Sequence, residues 1–88
     1  MTDKTDRILE FLADTGAAHS KRGIEVNLDA LGQNVSYSTI KRHLPKLEAI
    51  GLVEVVREKG PYYRITKDGR AYLAGELDVS DRNPADEE

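Results

Sequence analysis

The 88-residue chain predicts an α+β domain: a three-helix core, a two-stranded hairpin and a C-terminal helix. Three observations carry this. Over residues 36–50 the apolar positions Ile40, Leu44, Leu47 and Ile50 recur at the spacing of one face of an α-helix. Gly51 follows at once, where a helix C-terminus favours a residue that tolerates the left-handed conformation. Leu52, Val53, Val55 and Val56 then form a β-prone run, and Tyr62 to Ile65 form a second run beyond a Gly-Pro turn.

The first helix is expected over about Thr5 to Asp14. It carries Ile8, Phe11 and Leu12 on one stripe, with Leu9 and Ala13 at its edge. Residues 2–4 are expected to fray. Thr15 and Gly16 end this helix, and Ala17 to His19 suit a short extended segment. Ser20 can cap a second helix that turns Ile24 and Leu28 inward, although Gly23 costs its start roughly 1 kcal/mol relative to alanine. Asp29 to Val35 contains Gly32 and Asn34 and reads as a turn, longer than the three or four residues usual in a helix-turn-helix. Leu31 and Val35 either fold back onto the core from this turn, or the second helix extends to Leu31.

Ser36 is a good N-cap for the third helix, because its hydroxyl can accept an otherwise unpaired backbone N–H. Ser38, Lys41, Arg42, Pro45 and Lys46 fall on the side away from the apolar stripe. Pro45 removes a hydrogen bond and crowds the Lys41 carbonyl, so a break or a kink costing ~3 kcal/mol is expected. The apolar spacing stays in phase through Leu47 and Ile50, which favours the kink.

Val53 to Arg57 makes one strand, Glu58 to Pro61 the turn, and Tyr62 to Ile65 the return. Val53 and Val55 share a face, as do Tyr63 and Ile65, so one of the two adjacent tyrosines belongs to the core and the other to solvent. Thr66 caps a last helix running to Leu77, with Tyr72, Leu73 and Leu77 as its stripe. Residues 78–88 are acidic and almost without apolar side chains, which predicts a disordered tail after a domain of residues 1–77. A cationic, hydroxyl-rich helix that ends at glycine and feeds a hairpin is the pattern of a winged helix-turn-helix.

The net charge of −3 argues against a nucleic-acid partner until it is divided along the chain. Residues 1–35 carry −2, residues 36–70 carry +4 and residues 71–88 carry −5. Local field decides whether a phosphate backbone can dock, and the positive charge lies on the third helix and hairpin. A chain this short leaves room for a three-helix core and a hairpin, but not for an enclosed substrate cavity plus a second domain. With no cysteine, disulfides and thiolate zinc sites are excluded. No apolar run approaches the ~20 residues of a membrane span, and the N-terminus lacks signal-peptide character. A cytoplasmic protein is expected. His19 and His43 have no partner at ligand spacing, so neither a metal nor any other cofactor is expected. No nucleophile elbow, phosphate loop or carboxylate pair accompanies the serines, which argues against an enzyme.

The runs S-Y-S-T-I-K-R-H-L-P-K-L-E-A-I-G-L-V-E and Y-Y-R-I-T-K-D-G-R-A-Y-L resemble winged-helix transcriptional regulators. In particular they are similar to the archaeal phage-repressor-like group of short winged-helix proteins. The resemblance covers about residues 5–77. Its most diagnostic parts are L-x-x-L-E-x-x-G-L-V-E at the end of the third helix and R-I-T-x-x-G-R-A-Y-L at the start of the last. It implies sequence-specific binding to double-stranded DNA, usually as a homodimer, to repress transcription. By position it implies that Tyr37, Ser38, Lys41 and Arg42 face the groove and that Lys59 sits at the wing tip.

The residues themselves make Arg42 the best base reader, since its fork can bond guanine O6 and N7 together. Ser38 and Thr39 can hold phosphates or bond their own helix backbone. Ser36, Lys46, Arg57 and Arg64 complete the candidate DNA-binding set. Leu9, left on the flank of the first helix, joins Tyr72, Leu73 and Leu77 as the candidate dimer surface. The alternative is a winged helix that docks an acidic protein through the same basic face; an RNA-reading sheet is disfavoured because its aromatic signature is absent.

Overall fold

A computed structural model describes residues 3–57 and 59–79, with Asp3 and Arg57 described by backbone alone. The elements run α1 (Asp3–Thr15), β1 (His19–Ser20), α2 (Lys21–Ala30), α3 (Tyr37–Ala49), β2 (Val53–Arg57), β3 (Tyr62–Ile65) and α4 (Lys67–Leu73). The strands form one antiparallel sheet in the order β1-β3-β2. The short extended segment expected before α2 is therefore a real third strand, with His19 opposite Tyr63 and Ser20 opposite Tyr62. In the hairpin, Val53 faces Ile65, Glu54 faces Arg64 and Val55 faces Tyr63. The register then slips before Arg57 meets Tyr62. The slip leaves Val56 as the extra residue of a bulge, exposed rather than paired.

Three hydroxyls start three helices. Ser20, Ser36 and Thr66 each accept the backbone N–H three residues on, from Gly23, Thr39 and Gly69. At the other end of α3, Gly51 adopts φ 84° while its N–H bonds Glu48 O and the Leu52 N–H bonds Leu47 O. This is a Schellman closure, and it turns the chain directly into β2. The same closure at Gly75, with Glu76 N–H on Ala71 O and Gly75 N–H on Tyr72 O, ends α4 at Leu73. The last helix is thus shorter than its apolar pattern predicts: Leu77 lies beyond it in non-helical chain, because the glycine stops the helix before the pattern runs out.

Pro45 lies inside one continuous α3. Both Pro45 and Lys41 lie on the exposed side of the helix, while buried Ile40, Leu44 and Leu47 hold it against the core.

The core gathers Ile8, Leu9, Phe11 and Leu12 of α1 with Ile24, Leu28, Ile40, Leu44, Leu47, Leu52, Val53, Tyr63 and Ile65. Three expectations need correction. Leu9 is 0% exposed and belongs to the core. α1 packs against α2, α3, α4 and β3, so it buries a wider stripe than a surface helix would. Leu31 is 62% exposed as the C-cap of α2, and Val35 alone returns to the core from the turn. Val79 is buried in the core as well, so packing continues past the boundary expected at residue 77. The tail expected over residues 78–88 lies outside the described residues from 80 onward. As expected, Tyr63 is the buried tyrosine and Tyr62 the exposed one.

Candidate nucleic-acid interface

α3 presents its two long faces differently. Inward, Thr39, Ile40, Leu44 and Leu47 are buried. Outward, Ser38, Lys41 and Arg42 are exposed, and none of the three makes a side-chain hydrogen bond or ion pair among the described residues. Lys46, one turn further, is half-buried and has contacts of its own. The exposed group is the part of the predicted DNA-binding set that the fold brings together on one accessible face.

Two hydroxyls of that set are otherwise engaged. The Ser36 hydroxyl donates to the Thr39 Oγ1 at 2.9 Å and accepts the Thr39 N–H at 3.2 Å. Thr39 is only 8% exposed. This counts against Thr39 as a phosphate ligand: its side chain is nearly buried and its Oγ1 already accepts the Ser36 hydroxyl. Ser36 is exposed, but its hydroxyl works as the helix cap.

Arg64 is also modified by its surroundings. Its Nε and Nη2 both donate to Glu54 Oε2, at 2.9 and 2.6 Å, directly across the β2–β3 ladder. Both side chains are about half exposed, so the pair is screened and weak in energy. The pair nevertheless sets an opposite charge beside the one that Arg64 was expected to offer. The Arg57 side chain lies outside the described residues; Lys59 is exposed in the hairpin turn, beside Gly60.

α3 is anchored from behind. The Thr5 hydroxyl of α1 lies 2.6 Å from His43 Nδ1, on the flank of the helix next to Arg42. At the N-terminus of α3, Tyr37 carries the Arg22 guanidinium of α2 over its ring, 4.8 Å from the centroid. Lys21 Nζ lies 5.7 Å from the Tyr63 centroid. Burial pushes the Tyr63 hydroxyl above its ordinary pKa, with Glu48 and Tyr37 adding to the shift. Lys21 and Arg22 were missed because they sit in the acidic first third of the chain. The available signal was local: two adjacent cations directly after the Ser20 cap.

The candidate dimer surface is partly consumed within the chain. Leu9 is buried, as described above. Tyr72, Leu73 and Leu77 are partly buried against the same core. The Tyr72 hydroxyl donates to Asp6 Oδ1 at 3.2 Å, and burial followed by the Asp6 charge raises its pKa. Arg70 Nη1 reaches the Ala13 carbonyl at 3.3 Å, so α4 is docked on α1 by polar contacts as well as apolar ones.

No group of histidines and acids among the described residues is placed to hold a metal ion. No helix among them is long and apolar enough to cross a membrane.

A helix-turn-helix that feeds an antiparallel hairpin, with a third short strand after α1, defines a winged-helix domain. The chain belongs to the family described as the ribonuclease R winged-helix domain, whose model matches residues 6–73. No curated protein and no solved structure matches it. The family supports the winged-helix part of the sequence resemblance; the narrower archaeal phage-repressor-like group belongs to the proposal that follows.

Proposed function

We propose that this protein is a sequence-specific, double-stranded DNA-binding transcriptional repressor of the archaeal phage-repressor-like kind. In this reading it is a cytoplasmic binding protein and not an enzyme, and it acts as a homodimer. The observation that carries the reading is the outward face of α3, where Ser38, Lys41 and Arg42 stand exposed with no side-chain partner among the described residues. A helix of this width fits the major groove. Arg42 then offers its fork to a guanine, Lys41 and Ser38 bond phosphate or base edges, and Lys59 in the wing turn reaches the backbone or minor groove. Tyr72, Leu73 and Leu77 supply the two-fold contact, which leaves both α3 helices free to meet adjacent half-sites.

Selection of bound fragments from a random duplex pool, followed by affinity measured at rising salt, tests the reading. A regulator enriches a defined site and keeps its preference as salt rises, because base contacts do not depend on counterion release. Enrichment of no sequence contradicts it.

The family match favours one second reading, since the matched winged helix is that of a ribonuclease. In that reading the same basic face takes an RNA helix by shape. Competition between the DNA and RNA forms of one duplex separates the two: the DNA-reading protein prefers the DNA form.

A further inference from the structure

We propose that Arg22 of α2 is a phosphate-contacting residue of this interface, and that the Tyr37 ring positions it. The inference rests on the DNA-binding reading of α3 and extends the surface to a helix that reading leaves out. Tyr37 is the first residue of α3 and directly precedes Ser38. A cation held over its ring therefore stands at the edge of the exposed face formed by Ser38, Lys41 and Arg42. Arg22 reaches that place from the first turn of α2, with its side chain 71% exposed.

An arginine free in solvent loses much rotamer freedom when it is fixed on a ligand. Here the guanidinium is already held against an aromatic face, a contact that also leaves the edge of the fork open. Its hydrogen bond to Glu25 Oε1 at 3.1 Å uses one of the five guanidinium donors. The others meet no acceptor among the described residues. Glu25 thus occupies the place of one anionic oxygen in the free protein, in an exposed pair that a phosphate can replace. Lys21 repeats the pattern over Tyr63. The basic pair that opens α2 is thereby pinned to α3 through one tyrosine and to the hairpin through the other.

A phosphate contact carries no sequence information, so its loss weakens every duplex alike. The test measures affinity against salt for the full chain, using a random-sequence duplex and the selected site. Arg22→Ala is expected to lower the slope of log K against log salt by about one unit on both duplexes. Tyr37→Phe keeps the ring under the Arg22 guanidinium and is expected to recover the salt slope that Tyr37→Leu loses on the random duplex. Tyr37→Leu is expected to weaken the random duplex to the level of Arg22→Ala, and the double variant to be no weaker than either. A parent that binds no duplex overturns the α3 reading, and this inference with it. A parent that binds, with an Arg22→Ala slope equal to its own, overturns this inference alone. Additive losses for Arg22→Ala and Tyr37→Leu overturn the positioning role of Tyr37.

Discussion

The Thr5 hydroxyl and His43 Nδ1 lie 2.6 Å apart, joining the first helix of the domain to the flank of α3. Thr5 is one of two buried polar residues in the described core, the other being Thr39. The contact adds a polar tie between α1 and α3 to the apolar packing that turns Ile40, Leu44 and Leu47 inward. Thr5→Val keeps the shape but removes the hydroxyl, so stability to urea should fall by about 1–2 kcal/mol. An unchanged unfolding midpoint would show that the pair contributes nothing.

Gly69 sits where α4 crosses the end of the sheet. A Cβ placed there would strike the Leu52 carbonyl oxygen and the Ile65 side chain. That carbonyl also accepts the Thr66 N–H at 3.0 Å, so it cannot withdraw without opening the cap of α4. Gly69→Ala is expected to cost about 1–3 kcal/mol through overpacking. Gly60, by contrast, would meet nothing within 4 Å. Thermal melts of Gly69→Ala that match the parent would contradict this close approach.

His19 introduces a pH dependence with a definite sign. Its ring lies against Phe11, with centroids 4.8 Å apart, and its Nε2 is 2.9 Å from the Thr15 hydroxyl. Burial lowers its pKa from the ordinary value of 6.5. The unfolded chain then takes up the proton first, so this contribution to stability is complete above about pH 6.5 and is lost as the pH falls through the lowered folded value. His19→Gln should therefore lose less stability than the parent between about pH 7 and pH 5. Equal losses in the two proteins would remove His19 as the source.

Caps and turns were the most legible part of the fold in the sequence, because their signals are local. Ser20, Ser36 and Thr66 each do what a hydroxyl before an apolar-periodic run does. Gly51 ends α3 where expected, and the Tyr62–Tyr63 alternation sorts the two rings correctly. The misreadings depend on the tertiary environment. Leu9 looked like a flank residue because one stripe suffices for a surface helix, whereas α1 is enclosed by four elements. Val79 follows an acidic residue and precedes an acidic run, so composition hid a single core side chain. At the candidate site, the outward positions of Ser38, Lys41 and Arg42 followed from helical periodicity. The Glu54–Arg64 pairing and the Arg22–Tyr37 stack did not, since each depends on how two separate segments meet.

Association through α4 makes a separate prediction. With Leu9 committed to the core, the proposed contact falls to Tyr72, Leu73 and Leu77; Leu77 lies beyond the end of α4, with its side chain partly packed on the core. Leu77→Glu should sediment as a folded monomer and lose affinity for a two-half-site duplex, while retaining affinity for a single half-site. A parent that sediments as a monomer at micromolar concentration and protects one undivided site rules out the dimer.

The central claim is that the outward face of α3 reads base sequence, and Arg42 is the residue that tests it most directly. The measurement is the ratio of affinities for the selected duplex and for the same duplex scrambled, in the parent and in Arg42→Ala. Loss of a bidentate guanine contact should cost about 1–3 kcal/mol on the selected duplex, leave the scrambled one nearly unchanged, and relax base choice at one position. An Arg42→Ala protein that keeps the parent's ratio would contradict the assignment of α3 as the reading helix.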